Sequence, residues 1–366
     1  MDYRFLSDAV DDIYAWIKCY RPAIKASLYA RKRVKMINGG YRGSRKEFRQ
    51  EVTRYWKKYG QNPKRYWYQI YCANQGSFDP RFIPDSIWYT KIQPYFNCTV
   101  FRSVYADKTM YDRYFAHLKQ PETIIKNTAG HFYDGKGNWI PQDEAFKLLC
   151  ESTEFIIKPS LRSGGGREVR YVGPEDITPE KMEQLMKHYN ANFVVQKLVR
   201  QHPDLARIHP KSLNTIRVMS LHYKGKVHIL SAQLRMGSGD ARVDNVSSGG
   251  MACAIVDREG HLAEKSVTRK SQWTDHHPSG IAFRDIVVPS YDKVLSVVEQ
   301  THRVVPFFNI IGWDFAVDES GEPVFIEFNV GCEQNQIGSG KPTFGDLTDE
   351  ILDDVFIKKT RAGLFR

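Results

Sequence analysis

Two carboxylates and an amide near the carboxyl end of the chain have the spacing of a metal site. If Ser320 and Gly321 form a two-residue hairpin turn, Asp314 lies directly opposite Glu327, and Asn329 shares their face. The alternate positions then form an apolar face of Trp313, Phe315, Val317, Val324, Ile326 and Phe328. Opposed carboxylates repel each other unless a cation lies between them. Such oxygen ligands favour Mg²⁺ or Mn²⁺ held together with substrate phosphates, and a solvated acidic sheet face is the alternative.

A glycine run between two predicted strands could hold phosphate. Lys158 ends the first strand, and Ser163, Gly164, Gly165 and Gly166 follow it. Consecutive glycines allow backbone N–H groups to surround phosphate oxygens, and Lys158 would add a positive charge. The spacing is not that of a Walker loop, which ends in Gly-Lys-Ser/Thr. An ordinary hairpin loop is the alternative.

Two arginines on adjoining predicted strands could stabilise an anion. Arg217 and Arg235 are followed by the short polar sequence Asp244-Asn245. Guanidinium groups and an amide in this order suit a phosphate or a developing negative charge, although a solvated arginine is equally common on a strand. No serine or cysteine carries a recognisable nucleophile motif.

The elements that must position these residues alternate between strand and helix patterns from about residue 107 onward. Strands are predicted at 155–158, 169–172, 193–199, 216–222 and 227–235 and in the final hairpin, and helices at 107–118, 178–189 and 290–303. Thr178 and Pro179 are typical of an N-cap and a first helical position. Strands joined in hairpins and covered by helices on one side predict an α+β protein.

The amino-terminal part carries the whole charge excess of the chain. The net charge is +11, from 53 Lys and Arg against 42 Asp and Glu, and residues 1–65 hold 17 of the former and six of the latter. This asymmetry argues against a uniformly basic protein. An apolar stripe at helical spacing comprises Ile13, Trp16, Ile17, Tyr20, Ile24 and Leu28. We expect a helix kinked at Pro22, with this stripe packed against the rest of the chain.

Composition and termini predict a cytoplasmic protein. The six cysteines show no C-x-x-C spacing, which favours a reducing compartment over a disulfide scaffold or a zinc ribbon. No apolar run approaches the length of a membrane span, and the first residues lack the apolar core of a signal peptide.

Taken together, these motifs resemble the ATP-grasp superfamily, and within it the sugar-transfer-associated ATP-grasp group, over about residues 105–345. The most specific stretches are Gln196-Lys-Leu-Val-Arg-Gln-His202-Pro, Ser212-Leu-Asn-Thr-Ile-Arg217, Val243-Asp-Asn245 and Glu327-Phe-Asn329. The resemblance implies an ATP-grasp fold, in which two α/β subdomains clamp ATP. We expect a basic helical segment at 1–65, an aromatic connecting layer at 66–105, subdomains at 106–199 and 200–345, and a C-terminal helix at 346–366.

The resemblance also implies a role for each matching residue. It assigns Lys108 and Lys158 to the ATP phosphates, Ser163, Gly164, Gly165 and Gly166 to a closing loop, Gln196, Lys197, Leu198 and Val199 to adenine, His202 to the ribose, Asp314, Glu327 and Asn329 to Mg²⁺ or Mn²⁺, and Arg217, Arg235 and Asn245 to phosphoryl transfer. The sequence departs from many relatives just after Asn329, where residues 330–335 replace the usual proline and small residues.

The reaction implied by this resemblance is ATP-dependent ligation of a small-molecule or glycan carboxylate to an amine through an acyl phosphate, in polysaccharide or sugar-conjugate biosynthesis. A kinase that phosphorylates a hydroxyl group is one alternative. A module that binds nucleic acid or a membrane through the basic N-terminus is another, with nucleic acid the less favoured partner. We interpret residues 1–65 as a docking surface for an anionic carrier or the inner face of a membrane, apart from the chemistry.

Overall fold

Two antiparallel β-sheets and a helical amino-terminal layer make up the protein, as the α+β prediction requires. The structure is a computed structural model that describes residues 3–37, 41–161, 163, 166–240, 242, 244, 249–268 and 273–358. In these ranges no helix has the length and apolar character needed to cross a membrane.

The first sheet has six strands in the order β3-β2-β1-β6-β4-β5. Its strands are β1 Thr123–Thr128, β2 His131–Asp134, β3 Trp139–Ile140, β4 Phe155–Pro159, β5 Arg170–Val172 and β6 Phe193–Gln196. The second sheet has five strands in the order β13-β12-β7-β8-β9, and β10 and β11 pair separately. These strands are β7 Thr215–Tyr223, β8 Lys226–Met236, β9 Met251–Ala254, β10 Ser266–Val267, β11 Trp273–Thr274, β12 Ile310–Val317 and β13 Pro323–Asn329.

Helices cover both sheets and form the amino-terminal layer. The α-helices are α1 Tyr3–Met36, α2 Arg45–Phe48, α3 Arg54–Lys57, α4 Arg65–Tyr71, α5 Asp85–Ile87, α6 Gln93–Phe96, α7 Arg102–Tyr105, α8 Tyr111–Tyr114, α9 Gln142–Cys150, α10 Pro179–Tyr189, α11 Pro203–Ala206, α12 Tyr291–Val304, α13 Gln336–Ser339 and α14 Thr348–Leu352. Short 3₁₀ turns span Thr99–Phe101, Lys108–Met110, Pro174–Asp176, Phe283–Asp285 and Gly345–Leu347, and π-helical turns span Arg49–Thr53, Trp88–Ile92 and Asp353–Lys358.

Helix α10 begins at the capping residue predicted from the sequence, whereas the helix predicted before β1 does not form as expected. Thr178 caps α10 by accepting a hydrogen bond from the Lys181 N–H at 3.4 Å. The single helix expected over 107–118 is instead a 3₁₀ turn followed by the one-turn α8, so that prediction is wrong. Asp107 caps the 3₁₀ turn through the Thr109 N–H, and this favours a tight turn over a longer helix.

The five-stranded sheet has one largely apolar face and one face that is divided into an apolar and a polar part. On the first face, Ile216, Val218 and Trp313 pack in the same core as α12. Along the opposite face, Met219 and Leu221 are covered by the helical segment from residue 45 to 105, which is called the aromatic layer below. The other end of this face is polar and begins at Arg217, so the sheet offers polar side chains only where the layer stops.

The aromatic layer is the helical segment from residue 45 to 105, and it is tied to the end of the second sheet. Asn97 donates to the carbonyls of Ile310 and Val330 at 2.7 and 2.8 Å, and its Oδ1 accepts from the Ile310 N–H. The ring nitrogen of Trp88 donates to the Cys332 carbonyl at 3.0 Å. The layer therefore fixes the backbone that leaves β13.

Helix α1 packs through its small residues, which overturns the predicted packing of the apolar stripe. It continues through Pro22, and Ala23 and Ala30 are buried, whereas Ile17, Ile24 and Leu28 are 52%, 58% and 58% exposed. Alanine lets the helix backbone approach the layer closely, and the large aliphatic residues lie on the opposite side. Tyr20 is half-buried, and the side chains of Ile13 and Trp16 lie outside the described residues.

Asp314 and Glu327 pair in the β12–β13 hairpin as predicted, although the turn that joins the strands is not the predicted two-residue turn. The loop has three residues, because the Asp318 N–H bonds to the Glu322 carbonyl at 3.0 Å, and Gly321 takes a φ of +79°. This would shift the pairing by one residue, but a β-bulge at Ile326 restores it, and Asp314 pairs with Glu327.

Because of the bulge, the apolar face of β13 contains different residues from those predicted. Phe325 pairs with Phe315 and is buried beside Trp313, where Val324 and Ile326 were expected. The predicted positions of Val324 and Ile326 are therefore wrong. Val324 pairs with Ala316, and Ile326 lines the cleft described below.

Candidate active site

A cleft of about 1290 Å³ opens between the two sheets and is lined by both of them and by α1. Residues of β4 and β6 form one wall, and residues of β7, β8, β12 and β13 form the other. Twelve lining residues are Lys or Arg and four are Asp or Glu, so the cleft is strongly cationic and suits a polyanionic ligand.

The ammonium group of Lys108 joins the glycine run to the predicted metal ligands. Its Nζ donates to Ser163 Oγ at 2.9 Å and lies 3.0 Å from Glu327 Oε1. Its backbone N–H donates to the Ser160 carbonyl at 3.1 Å, which keeps the 3₁₀ turn beside the end of β4. Residues that are far apart in sequence therefore meet at one buried ammonium group.

Asp314 is buried and held between two guanidinium groups. Arg217 donates to both of its oxygens, with Nη2 at 2.7 Å from Oδ2, and Arg235 Nη1 lies 3.5 Å from Oδ1. The Nδ2 of Asn329 lies 3.3 Å from Oδ2. Burial alone would raise the pKa of Asp314, but the charges of Arg217 and Arg235 lower it below its usual value.

Gly312 permits Cys332 to pack closely against β12. A Cβ atom at that position would lie 2.9 Å from Cys332 Cβ, which is too close, and 3.5 Å from Arg217 Cδ, which is ordinary contact. The packing of Cys332 against β12, beside the site, therefore requires glycine.

Lys158 lies on β4 and faces the cleft next to Lys108. Burial and the neighbouring Lys108 together lower the pKa of Lys158 to about 8, although Glu327 opposes the shift. Two lysines and Ser163 therefore surround the start of the glycine run. Gly166 is in a left-handed conformation with φ of +71°, and Gly164 and Gly165 lie outside the described residues.

A second buried carboxylate lies next to the arginine pair. Asp244 accepts a hydrogen bond from Thr215 Oγ1 at the start of β7. Burial raises the pKa of Asp244, and the nearby Arg235 opposes that shift. Asn245, its predicted neighbour in phosphoryl transfer, lies outside the described residues.

The predicted adenine-binding stretch lines the cleft, whereas His202 does not. Gln196, Lys197, Leu198 and Val199 are among the lining residues, together with the apolar side chains of Ile156 and Ile326. His202 is absent from the described residues that line the cleft. Its Nδ1 accepts from the Asp204 N–H at 3.2 Å and caps the short α11.

Sequence reasoning missed four residues that line the cleft from the amino-terminal part. They are Lys25, Tyr29 and Arg33 of α1 and Arg102 of α7. The guanidinium group of Arg102 lies against Gly331, where an added Cβ would be 2.9 Å from it. The basic run was the available signal, but charge alone does not reveal which cations fold back onto a distant strand.

A hydrogen-bond network connects Ile83 and Asp85, at the start of α5, to the backbone that leaves β13. Gln334 Nε2 donates to Asp85 Oδ1 at 2.8 Å and to the Ile83 carbonyl at 2.9 Å. Burial raises the pKa of Asp85 to about 6, while Gln334 and the Arg33 charge act in the opposite direction. This end of the cleft is therefore built from residues 330–335 and the amino-terminal helices.

The donor atoms fit a hard divalent cation in type. Asp314, Glu327 and Asn329 offer oxygen atoms on one face, as Mg²⁺ prefers when phosphate oxygens complete its shell. Among the described residues, no three His, Cys, Asp or Glu side chains form a metal-binding group by themselves. A metal ion here would therefore depend on Asn329 and on ligand oxygens, and would compete with Arg217 and Lys108 for the carboxylates.

One family of known proteins matches part of the second half of the chain. Residues 180–347 match the family described as sugar-transfer associated ATP-grasp. No curated protein matches the chain in sequence.

The solved structures that resemble this one include an ATP-grasp ligase, a D-alanyl-alanine synthetase and a biotin carboxylase, all at low sequence identity. The ATP-grasp ligase PsnB complexed with a minimal precursor is 14% identical with a TM-score of 0.41, over 70% of this chain and 62% of that chain. D-alanyl-alanine synthetase A from Vibrio cholerae is 11% identical with a TM-score of 0.40, over 69% and 65%. Biotin carboxylase from Campylobacter jejuni is 12% identical with a TM-score of 0.42, over 74% and 50%. The chain thus spans less than two thirds of the length of each.

Proposed function

We propose that the protein is an ATP- and Mg²⁺-dependent ligase, because residues 180–347 match the family described as sugar-transfer associated ATP-grasp. In this proposal it activates a carboxylate as an acyl phosphate and couples the acyl group to an amine. Residues 106–199 and 200–345 act as the two subdomains that clamp the nucleotide.

One observation carries the proposal more than any other. A single ammonium group, that of Lys108, contacts both Ser163 of the glycine run and Glu327 of the opposed carboxylate pair. Phosphoryl transfer needs phosphate-binding donors and metal-binding oxygens side by side, and little else from the protein. The contacts of Lys108 support such a site.

The nucleotide occupies the end of the cleft between β4, β6 and β13. Lys108, Lys158 and the loop from Ser163 to Gly166 bind the phosphates, and the apolar side chains of Ile156 and Ile326 flank the base. Residues 196–199 offer backbone groups at the edge of the base. His202 was expected near the ribose, and its role as a helix cap gives that assignment less support.

Asp314, Glu327 and Asn329 hold the magnesium ion, which neutralises phosphate charge when it is bound. Arg217 is charged at any working pH, since Asp314 raises its pKa above the ordinary value despite the opposing effect of burial. It therefore places a permanent positive charge beside the proposed metal ligands, where a transferring phosphoryl group would lie. Arg235 or Asn245 stabilises the negative charge that develops on the carbonyl oxygen.

The reaction proceeds in two balanced steps. An oxygen of the substrate carboxylate bonds to the γ-phosphorus of ATP while the bond to the bridging oxygen breaks, which yields an acyl phosphate and ADP. The amine nitrogen then bonds to the acyl carbon, loses a proton, and inorganic phosphate leaves. Activation is needed because a free carboxylate is a poor electrophile.

The carboxylate substrate enters at the other end of the cleft. Arg102, Arg33 and Lys25 line that end, and Arg102 lies against Gly331, two residues beyond the metal-binding Asn329. Three cations so close to the proposed site of phosphoryl transfer favour an anionic substrate. The family description favours a sugar or glycan acid in polysaccharide or sugar-conjugate assembly on the cytoplasmic side.

A screen for ADP release over pairs of carboxylates and amines tests the proposal. Uronic acids and amino acids form the first panel, and one pair should release ADP in a manner that depends on both substrates. Lys158→Ala and Glu327→Gln should each abolish that release.

Glu322→Gln is the matched control, because Glu322 lies on the same hairpin, outside the cleft, and is half-exposed beside Lys293. Full turnover by both cleft variants would contradict the proposal. Hydroxylamine separates the mechanisms: a hydroxamate indicates an acyl phosphate, and a stable phosphoester would instead indicate a kinase.

A further inference from the structure

The outward side of α1 carries large apolar side chains in the position where a surface helix normally carries polar ones. Ile17, Ile24 and Leu28 are 52%, 58% and 58% exposed. Their spacings of seven and four residues put them in one row along the helix. The buried Ala23 and Ala30 lie on the opposite side, so nothing in the described part of the chain covers this row.

Positive charge flanks the row and acidic residues are missing from it. Residues 13–46 contain ten Lys or Arg and no Asp or Glu. Arg21, Lys32 and Lys35 are exposed on α1. An apolar row bordered by lysine and arginine is the pattern of a helix that lies in the plane of a lipid surface.

We propose that α1 docks on an anionic membrane surface, with Ile17, Ile24 and Leu28 buried at the boundary between headgroups and acyl chains. Arg21, Lys32 and Lys35 then contact the lipid phosphates. This inference concerns where the enzyme binds, and it does not depend on the proposed ligation.

Charge decides between a membrane and a second copy of the chain. Helix α1 holds eight Lys or Arg against three Asp, so two copies that met through this row would each bring a net charge of +5 to the interface. That repulsion opposes pairing, whereas an anionic bilayer attracts every cation in the helix. Charge complementarity therefore favours lipid.

Docking of α1 would also place the edge of the cleft next to the membrane surface. Lys25 is adjacent in sequence to Ile24, and Tyr29 to Leu28, yet Lys25 and Tyr29 line the cleft. One helix thus carries both the docking row and one edge of the cleft. A substrate carried on the membrane would meet the cleft edge that α1 forms.

Vesicle flotation with the full chain tests this proposal. The protein should float with vesicles of phosphatidylcholine and phosphatidylglycerol and stay behind with phosphatidylcholine alone, and high salt should reduce binding by screening. Ile24→Ser/Leu28→Ser should lower the partition coefficient at least ten-fold, since burial of one aliphatic side chain is worth a factor of roughly ten. Arg21→Gln/Lys32→Gln should lower it roughly five-fold per charge.

The matched controls replace two exposed apolar residues or two exposed cations elsewhere on the protein surface. Val256→Ser/Val304→Ser changes two side chains that are 53% and 70% exposed, and Lys136→Gln/Lys226→Gln removes two exposed cations. Both should float as the wild type does, and all variants should keep the wild-type melting temperature.

Three results would overturn the proposal. The first is wild-type flotation that Ile24→Ser/Leu28→Ser leaves unchanged. The second is a wild-type dimer in sedimentation that the same variant converts to a monomer, without flotation of either protein. The third is retention on an oligonucleotide without flotation.

Discussion

Asp314 accepts hydrogen bonds on both oxygens from Arg217, and Arg235 lies close to one of them. All three side chains are largely buried, so the carboxylate compensates two positive charges that water reaches poorly. Its removal would take a buried counter-charge away from both guanidinium groups, and stability should depend on it more than on any exposed ion pair.

We expect Asp314→Asn to lower the free energy of unfolding by about 3 kcal/mol, because it breaks a buried pair on one side only. Urea denaturation followed by fluorescence measures this change. The control Glu322→Gln breaks a half-exposed pair with Lys293 and should cost less than about 1 kcal/mol. Equal losses for the two variants would contradict the assigned role of Asp314.

The lowered pKa of Lys158 predicts that nucleotide affinity depends on pH. Burial and the neighbouring Lys108 lower its pKa to about 8, so the ammonium form that binds phosphate is lost as the pH rises through that value. Nucleotide affinity should therefore fall between pH 7 and pH 9.5, with a midpoint near 8 in the free enzyme. Fluorescent ADP titrations at several pH values measure this.

A variant with a permanent charge distinguishes Lys158 from other titrating groups. Lys158→Arg keeps its charge across the whole range and should flatten the pH profile even if its absolute affinity is lower. Lys158→Met should bind weakly at every pH. An unchanged midpoint in both variants would assign the titration to a different residue.

At the scale of elements, the bulge in β13 places Phe325 in the core and Ile326 in the lining of the cleft. Ile326→Ser should leave the free energy of unfolding within about 1 kcal/mol and weaken nucleotide binding. Phe325→Ala should instead cost about 3 to 5 kcal/mol, because it removes a ring packed against Trp313 and Phe115. Denaturation and ADP titration of both variants test this assignment. The reverse pattern would restore the simple alternation expected from the sequence.

Caps and alternation could be predicted from the sequence because they depend on neighbours. Thr178 caps α10, and Asp314 faces Glu327, although the latter prediction succeeded because a three-residue loop and a bulge compensate each other. Strand β1 could not be recognised from Thr123–Thr128, since four of its six residues are polar and its pairing with β6 spans about seventy residues.

The orientation of α1 could not be predicted because periodicity identifies an apolar row without saying what covers it. A row of large aliphatic residues predicts a packed side, yet Ala23 and Ala30 pack more closely against the layer. For the same reason, the composition revealed a basic segment and gave no sign that Arg33 reaches the cleft.

At the scale of the whole molecule, the two ends of the cleft come from different parts of the chain. We expect Lys25→Gln/Arg33→Gln to raise the KM for the carboxylate substrate at least ten-fold and to leave the affinity for ADP unchanged. Turnover with the substrate pair found in the ADP-release screen and direct ADP titration measure the two effects. Val256→Ser/Val304→Ser is the control, and a loss of ADP affinity in the double variant would contradict the division of the cleft.

The hydrogen bonds of Asn97 and Trp88 join the aromatic layer to the second sheet where β12 begins and where the chain leaves β13, next to the apolar contacts with Met219 and Leu221. Under the proposed function, the part of the chain before this joint binds the carboxylate substrate, and the part after it binds ATP. Exchange of residues 1–105 between relatives should therefore transfer the preference for the carboxylate and leave the nucleotide chemistry unchanged. Recombination at this joint would give the lineage new products without rebuilding its phosphoryl-transfer machinery.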